Sequence, residues 1–103
     1  MNEKIDIVTA EQMETLIYVI RGHKVMLDVD LAKIYGYETK SFNQQVKRNI
    51  EKFDNDFMFQ LTEQEVNILR SQNVTANLNN ISRSLPYVFT EQGIYMLITV
   101  FKI

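Results

Sequence analysis

The chain has 103 residues, of which 46% are hydrophobic and 23% are charged, and its formal net charge is −2. These values predict one globular domain and exclude a disordered chain, while the absence of cysteine excludes a disulfide framework and thiolate chemistry. The opening segment is polar and acidic, and no apolar run approaches membrane-spanning length. We therefore expect a cytoplasmic protein without a signal peptide and without a membrane partner.

The first predicted element is a β-hairpin. Residues 1–14 are polar and carry no recognisable chemistry, so we expect the folded domain to span residues 15–103. Within Thr15–Leu27, two runs rich in Ile, Val and Tyr flank Gly22, which is typical of two strands and a tight turn. The first run, LIYVI, does not alternate with polar residues, which indicates a strand buried on both faces. His23 is the only histidine, and at the hairpin tip we expect a solvated loop residue.

Two helices joined by a glycine turn are predicted next, over Asp28–Phe53. Asp28 or Asp30 is a candidate cap for the first helix, and Gly36 stands where a left-handed residue would end it. The second helix is predicted over Thr39–Phe53. Its core-facing residues recur at helical spacing and are Phe42, Val46, Ile50 and Phe53.

The spacing from Ala32 to Gly36 to Phe42 is that of a helix-turn-helix, with a small residue, a turn and a locking apolar residue. The same spacing fits an αα-hairpin in a small core, so spacing alone leaves both interpretations open. The outer face of the second helix favours DNA binding, because it combines cations for phosphates with amides for base edges. The polar residues of this face are Lys40, Gln44, Lys47, Arg48 and Glu51. Residues 21–52 contain seven Lys or Arg against four acids, a mildly basic segment in an acidic chain.

A strand, a capping box and a third helix follow the helix pair. Residues 57–61 read as a strand, and Thr62 with Glu65 forms the capping box of a helix over residues 63–71. The inward side chains of that helix are predicted to be Val66 and Leu69. The polar segment from Gln72 to Ser84 has almost no periodicity and predicts a long loop.

The last predicted elements are a strand and a helix. Leu85–Phe89 reads as a strand, and Pro86 near its start indicates an edge position. Thr90 is the predicted cap of a helix running from Glu91 to the terminus. The core-facing stripe of this helix is predicted to be Ile94, Leu97, Ile98 and Phe101. Its second apolar surface, formed by Met96, Val100 and Ile103, predicts a homodimer through this helix. The alternative is that residues beyond Ile103 cover this surface.

Few residues suit catalysis. One histidine, no cysteine and no glycine-rich phosphate loop predict a protein that is not an enzyme and needs no cofactor. The only acidic group that could hold magnesium is Asp54, Asp56, Glu63 and Glu65. Loop acids and first-turn acids that complement the helix dipole are the stronger explanation of that group, so we expect no catalytic residue and no metal site. Asn49 lies close to the apolar stripe and is expected to bond a backbone group, while Arg83 is either an ordinary surface residue or a phosphate contact.

Four blocks of the sequence together resemble a known family. The blocks are IRGHKVMLDVDLAKIYG, TKSFNQQVKRNIEKF, DFMFQLTEQE and PYVFTEQGIYML. In this order they closely resemble the amino-terminal domain of the phage "ORF six" family, within the KilA-N and BRO-N group of phage and large-DNA-virus regulatory domains. The similarity covers about residues 15–101. One departure is Asn79–Ser82, where a glycine-containing turn is expected, although asparagine tolerates a left-handed conformation.

The resemblance implies a small, single α+β domain with a β-hairpin, a helix-turn-helix-like pair, short strands and a C-terminal helix. It implies binding of double-stranded DNA by an antirepressor-like phage or prophage protein that continues into a further carboxy-terminal region. The contact residues that it implies are Lys40, Asn43, Gln44, Lys47 and Arg48, flanked by Arg21 and Lys24. The alternative is a protein-interaction or oligomerisation module that captures a repressor or another regulatory protein without binding DNA.

Overall fold

A computed structural model describes residues 10–72 and 85–101, with side chains described from Met13 onward. The α-helices are α1 (Ala10–Thr15), α2 (Asp28–Tyr35), α3 (Thr39–Arg48), α4 (Glu63–Gln72) and α5 (Glu91–Phe101). The strands are β1 (Ile17–Ile20), β2 (His23–Leu27), β3 (Met58–Gln60) and β4 (Tyr87–Thr90). The strands form one antiparallel sheet in the order β1-β2-β4-β3. The predicted α+β class is confirmed.

The sheet is covered on both faces, and each face has its own core. One face packs against α4 through Tyr18, Ile20, Val25, Leu27, Phe59, Leu61, Val66, Leu69 and Val88. The other face packs against α2, α3 and α5 through Met26, Leu31, Ala32, Phe42, Val46, Phe53, Met58, Phe89, Leu97 and Phe101. The second core therefore positions the helix pair that the sequence singles out.

The predicted hairpin is present, but its first strand is buried on one face only. The two turn residues, Arg21 and Gly22, have φ of 54° and 78°, as a two-residue hairpin turn requires. Tyr18 and Ile20 are buried, whereas Ile17 and Val19 are 39% and 70% exposed. The expectation of burial on both faces is wrong because the face of β1 that carries Ile17 and Val19 is incompletely covered.

Local capping signals predicted two helix starts correctly. The Thr62 and Glu65 side chains bond reciprocally: the Thr62 N–H donates to Glu65 Oε1 at 2.8 Å and the Glu65 N–H donates to Thr62 Oγ1 at 3.1 Å. At the start of α5 the Gly93 N–H donates to Thr90 Oγ1 at 3.3 Å. Val66 and Leu69 are buried as predicted.

The strand β4 lies inside the sheet, so its predicted edge position is wrong. Val88 pairs with Leu27 on one side and with Phe59 on the other. Pro86 precedes the paired residues, and its carbonyl accepts the Leu61 N–H at 2.9 Å. Because proline lies just outside the ladder, its missing N–H costs the central strand nothing.

The second helix of the pair ends five residues earlier than predicted. Asn49 has φ −120° and ψ 29°, and its side-chain amide donates to the Gln45 carbonyl at 3.0 Å. This amide replaces the backbone N–H that would continue the helix, so α3 ends at Arg48 and a 3₁₀ turn follows over Ile50–Lys52. Ile50 consequently leaves the predicted stripe and is 49% exposed, whereas the predicted backbone contact of Asn49 is confirmed.

The terminal helix α5 is rotated relative to its predicted orientation. Leu97 and Phe101 are buried as predicted, but Ile98 is 55% exposed. Met96 and Val100, predicted to form a second outward surface, are partly buried against the second core. The helix turns this way because Gly93, in line with Leu97 and Phe101, lies against the backbone of Phe57.

Several sequence predictions fall outside the described residues. These are Arg83, the turn Asn79–Ser82, Ile103 and all of the predicted loop except Gln72, which ends α4. No helix within residues 10–72 and 85–101 is both long and apolar enough to cross a membrane.

Candidate nucleic-acid interface

The turn between α2 and α3 is built by Gly36. This residue has φ 77°, a left-handed conformation in which a side chain would be strained. Its N–H donates to the Lys33 carbonyl at 3.1 Å, and the Tyr37 N–H donates to the Ala32 carbonyl at 2.8 Å. This pair of bonds is a Schellman motif and ends α2 where the sequence predicted. The side chain of Ala32 is fully buried, so α3 can approach closely.

The start of α2 differs from the prediction. The cap position is Leu27, and none of the described side chains caps the helix. Asp28 and Asp30 lie buried in the first turn. Both acids still complement the positive end of the helix dipole. The side chain of Asp28, however, is used for contacts outside its own helix.

Aromatic packing fixes the inner side of α3. Phe42 is fully buried, with its ring stacked on Phe101 at 4.9 Å between centroids and edge-on to Phe89 at 5.8 Å. Val46, one turn later, is also buried. The helix is therefore attached to both α5 and the sheet, and its opposite side faces solvent.

The solvent side of α3 presents what we call the α3 strip, defined as Lys40, Gln44, Lys47 and Arg48. All four side chains are exposed, and they recur at i, i+4, i+7 and i+8 on one side of the helix. Among the described residues, none of the three cations of the strip forms an ion pair. The strip spans about 12 Å along the helix axis, from the rise of 1.5 Å per residue. It is thus a compact set of uncompensated cations with one amide at its centre.

Asn43 has a contact within the fold. Its amide Nδ2 donates to Asp28 Oδ2 at 2.9 Å, and the same oxygen accepts the Tyr87 N–H at 3.2 Å. Burial raises the pKa of the Asp28 carboxyl above its ordinary value, although both hydrogen bonds act in the opposite direction. Asn43 is half-buried, at the border between the core and the α3 strip. Its predicted contact with DNA stays a prediction, while its amide nitrogen is already bonded to α2.

The structure places Arg21 away from α3. The guanidinium donates to both carboxylate oxygens of Glu65, at 2.8 and 3.0 Å, and lies 4.2 Å from the centroid of the Phe59 ring. Phe59 belongs to the core on the α4 side, so Arg21 and the α3 strip are on opposite faces of the sheet. The hydrogen bond from Arg21 is the main cause that lowers the pKa of Glu65 to about 2. Arg21 therefore joins the hairpin to α4.

Lys24 is exposed on β2, next to the hairpin turn. Side chains alternate along the strand, so Lys24 shares a sheet face with Met26, the face that carries α2, α3 and α5. Lys24 lies on β2 beside the hairpin turn, so it is not part of the α3 strip. Of the seven predicted contact residues, four thus form one strip, Asn43 borders it, and Arg21 and Lys24 lie on the hairpin.

The predicted acidic group is not assembled into a metal site. In the two described ranges, no three His, Cys, Asp or Glu side chains form a group able to hold a metal ion. Glu65 is bonded to Arg21 and Thr62, and Asp54 accepts the Asp56 N–H at 3.0 Å. These acids hold local turns and the α4 capping box.

Sequence reasoning missed the role of Asp28, which it treated as a helix cap. The available signal was an acid directly after the apolar run Val25–Leu27, since a charge adjoining a buried strand needs donors. The donor itself, Asn43, is 15 residues away and has no local signature.

Comparison with family models gives one finding. The model described as ORF6N domain matches residues 15–100. Comparisons with curated proteins and with solved structures give no match.

Proposed function

The chain belongs to the ORF6N domain family, which is phage-associated, and we propose that it is a sequence-selective module for double-stranded DNA in a phage or prophage regulatory protein. The observation that carries the proposal is the α3 strip. Three cations free of ion pairs within the described residues surround one exposed amide, on a helix packed rigidly from behind. We place it among binding modules and assign it no enzymatic activity and no cofactor.

Electrostatics and dimensions support this proposal. Cations on one helix face neutralise phosphates and release counterions, which supplies affinity without sequence preference. An α-helix with its side chains is about 10–12 Å across, so α3 is narrow enough to enter the major groove of B-form DNA, which is roughly 12 Å wide. The net charge of −2 limits binding elsewhere on the surface, so contact is concentrated on α3.

Binding to a mixed-sequence duplex over a salt series tests the proposed function. We expect affinity to fall steeply with salt, because each neutralised phosphate contributes a slope of about −0.9. Replacing Lys47 by alanine should weaken binding to all duplexes alike and reduce the slope by roughly one unit. The measurement is fluorescence anisotropy of a labelled duplex between low and moderate salt.

A charge-matched control is Arg70→Ala. Arg70 is exposed on α4, across the sheet from α3, and its loss changes the net charge by the same amount. We expect the control to keep the wild-type slope. A Lys47→Ala protein with the wild-type slope would contradict a phosphate contact at Lys47, and binding that ignored salt would contradict the DNA-binding proposal itself.

The second candidate function is a protein-interaction or dimerisation module, which the outer face of α5 favours. Tyr95 is 73% exposed and Ile98 is 55% exposed on that face. Burying apolar surface in an interface stabilises the association by about 25 cal/mol per Å². Most soluble homo-oligomers are closed and symmetric, and two-fold dimers are the commonest among them. A dimer would also present two α3 helices to successive half-sites, about one helical turn apart.

We expect sedimentation velocity over a concentration series to detect this dimer. The mass should rise from 12.1 kDa towards twice that value, and Ile98→Ser should shift the rise to higher concentration. Gln92→Ser, on the same exposed side, is the control and should leave association unchanged. A constant monomer mass up to high micromolar concentration would rule out self-association, and binding of a repressor would then need its own test.

A further inference from the structure

We propose that Asp28 and Asn43 form a positioning pair that fixes the rotation of α3, and so decides which bases the α3 strip can reach. This inference rests on the proposed DNA-binding function. It assigns Asn43 a role behind the interface, in place of the base contact that the family resemblance implies.

The contact geometry joins three elements at one oxygen atom. Asp28 is the first residue of α2 and is only 4% exposed. Its Oδ2 accepts the Asn43 amide of α3 at 2.9 Å and the N–H of Tyr87, which starts β4, at 3.2 Å. A buried carboxylate is costly without donors, so each of these bonds resists the movement of its element.

The position of Asn43 on α3 makes this bond a restraint on rotation. The two fully buried anchors, Phe42 and Val46, lie on one side of the helix. Successive residues differ by about 100° around an α-helix, so the side chain of Asn43 leaves the helix in a different direction from those of Phe42 and Val46. Its bond to Asp28 therefore holds the helix on a side that the two anchors do not. Lys40 and Lys47 are three residues before and four after Asn43, and are its neighbours on the helix surface. Loss of the Asp28 bond would let both cations turn relative to the sheet.

The proposed positioning role predicts different effects on general DNA affinity and on sequence preference. Phosphate contacts tolerate small rotations because long lysine side chains can follow the backbone, whereas bidentate contacts with base edges do not. A loosened α3 should therefore bind mixed-sequence DNA normally and lose its preference for the selected duplex. A residue that touches phosphates, or one that only stabilises the fold, would not produce this split.

The test uses Asn43→Ala, which removes the amide donor, and Asn43→Asp, which replaces it with an acceptor. Asn67→Ala is the control, because Asn67 is an exposed helical asparagine on α4. We expect both Asn43 variants to lose about tenfold in the affinity ratio of selected to mixed duplex, at an unchanged salt slope.

Amide hydrogen exchange without DNA provides an independent measurement. In Asn43→Ala the N–H groups of α3 should exchange faster than in the wild type, while those of α5 keep their rates. The positioning role would be overturned by unchanged exchange in α3 or by an unchanged affinity ratio. If the wild-type protein selected no duplex, the proposed function would fail, and the exchange rates would still decide whether the pair restrains α3.

Discussion

Replacing Gly93 by alanine is expected to destabilise the domain by about 3 kcal/mol or more, at the upper end of overpacking effects. A Cβ at this position would lie much closer to the Phe57 carbonyl oxygen than the van der Waals contact distance, and 2.9 Å from the carbonyl carbon. The obstacle is backbone, so no side chain can rotate to make room.

The carbonyl of Phe57 is also fixed by its own bonds. It accepts the Thr90 N–H at 3.0 Å, and the Thr90 hydroxyl, which donates to the Asp56 carbonyl at 2.7 Å, lies 3.3 Å from it. Relief of the clash would therefore displace either α5 or the end of β4, and both belong to the core around Phe42. Alanine favours a helix over glycine by about 1 kcal/mol, which is too little to reverse the sign.

Thermal and urea unfolding of Gly93→Ala would measure the loss, and a fall in Tm of roughly 10 °C or more is expected for a domain of this size. Two controls separate the clash from other effects. Gln92→Ala changes an exposed neighbour and should stay within about 0.5 kcal/mol of the wild type. Gly36→Ala meets no atom within 4 Å and should cost only the strain of a left-handed residue, about 1–2 kcal/mol. A Gly93→Ala protein as stable as Gln92→Ala would contradict the close approach.

Gly93 also marks the limit of what the sequence could predict. A glycine in the first turn of a predicted helix is visible, but nothing local says that a carbonyl from residue 57 lies against it. The rotation of α5 depends on that contact, and for this reason the sequence-based stripe placed Ile98 inside and Met96 outside. Hydrophobic periodicity predicts that a face is buried, whereas packing against a distant segment decides which one.

Features that depend on neighbouring residues were predicted well. The Gly36 turn, the Thr62–Glu65 capping box and the Thr90 cap each need only a few adjacent residues, so their sequence signals are complete. The end of α3 before Asn49 shows that a local rule can still give a wrong boundary. Hydrophobic periodicity predicts a longer helix because it takes no account of the bond from the Asn49 amide to the Gln45 carbonyl.

The residues of the candidate interface also differ in whether local sequence or a distant partner determines their position. The α3 strip follows from helical spacing alone, and the structure places all four of its residues on the exposed side. Arg21 and Asn43 could not be assigned from the sequence, because their partners Glu65 and Asp28 are 44 and 15 residues away. The family resemblance implies a DNA contact for both residues, whereas the tertiary fold gives each of them a partner within the protein.

Replacing Gln44 by alanine is expected to remove base preference while leaving general DNA affinity in place. Gln44 is exposed at the centre of the α3 strip, and no hydrogen bond to its side chain occurs among the described residues. A free amide can pair bidentately with the N6 and N7 edge of adenine in the major groove, a contact worth about 1–3 kcal/mol of discrimination. That range corresponds to roughly a fivefold to 150-fold change in preference at one position.

Selection from a randomised duplex pool, followed by affinity measurements on the recovered sequences, would test the role of Gln44. In Gln44→Ala one adenine-preferring position should become indifferent, while the other positions and the salt slope remain as in the wild type. The matched control is Gln64→Ala, which removes an exposed glutamine from the first turn of α4, on the other side of the sheet. Alanine suits a helix at least as well as glutamine, so neither variant should lose stability and a change in selection can be ascribed to recognition. If Gln44→Ala recovered the wild-type ranking of sequences, Gln44 would not read a base, and the selectivity would have to come from Lys40, Lys47, Arg48 or the shape of the DNA.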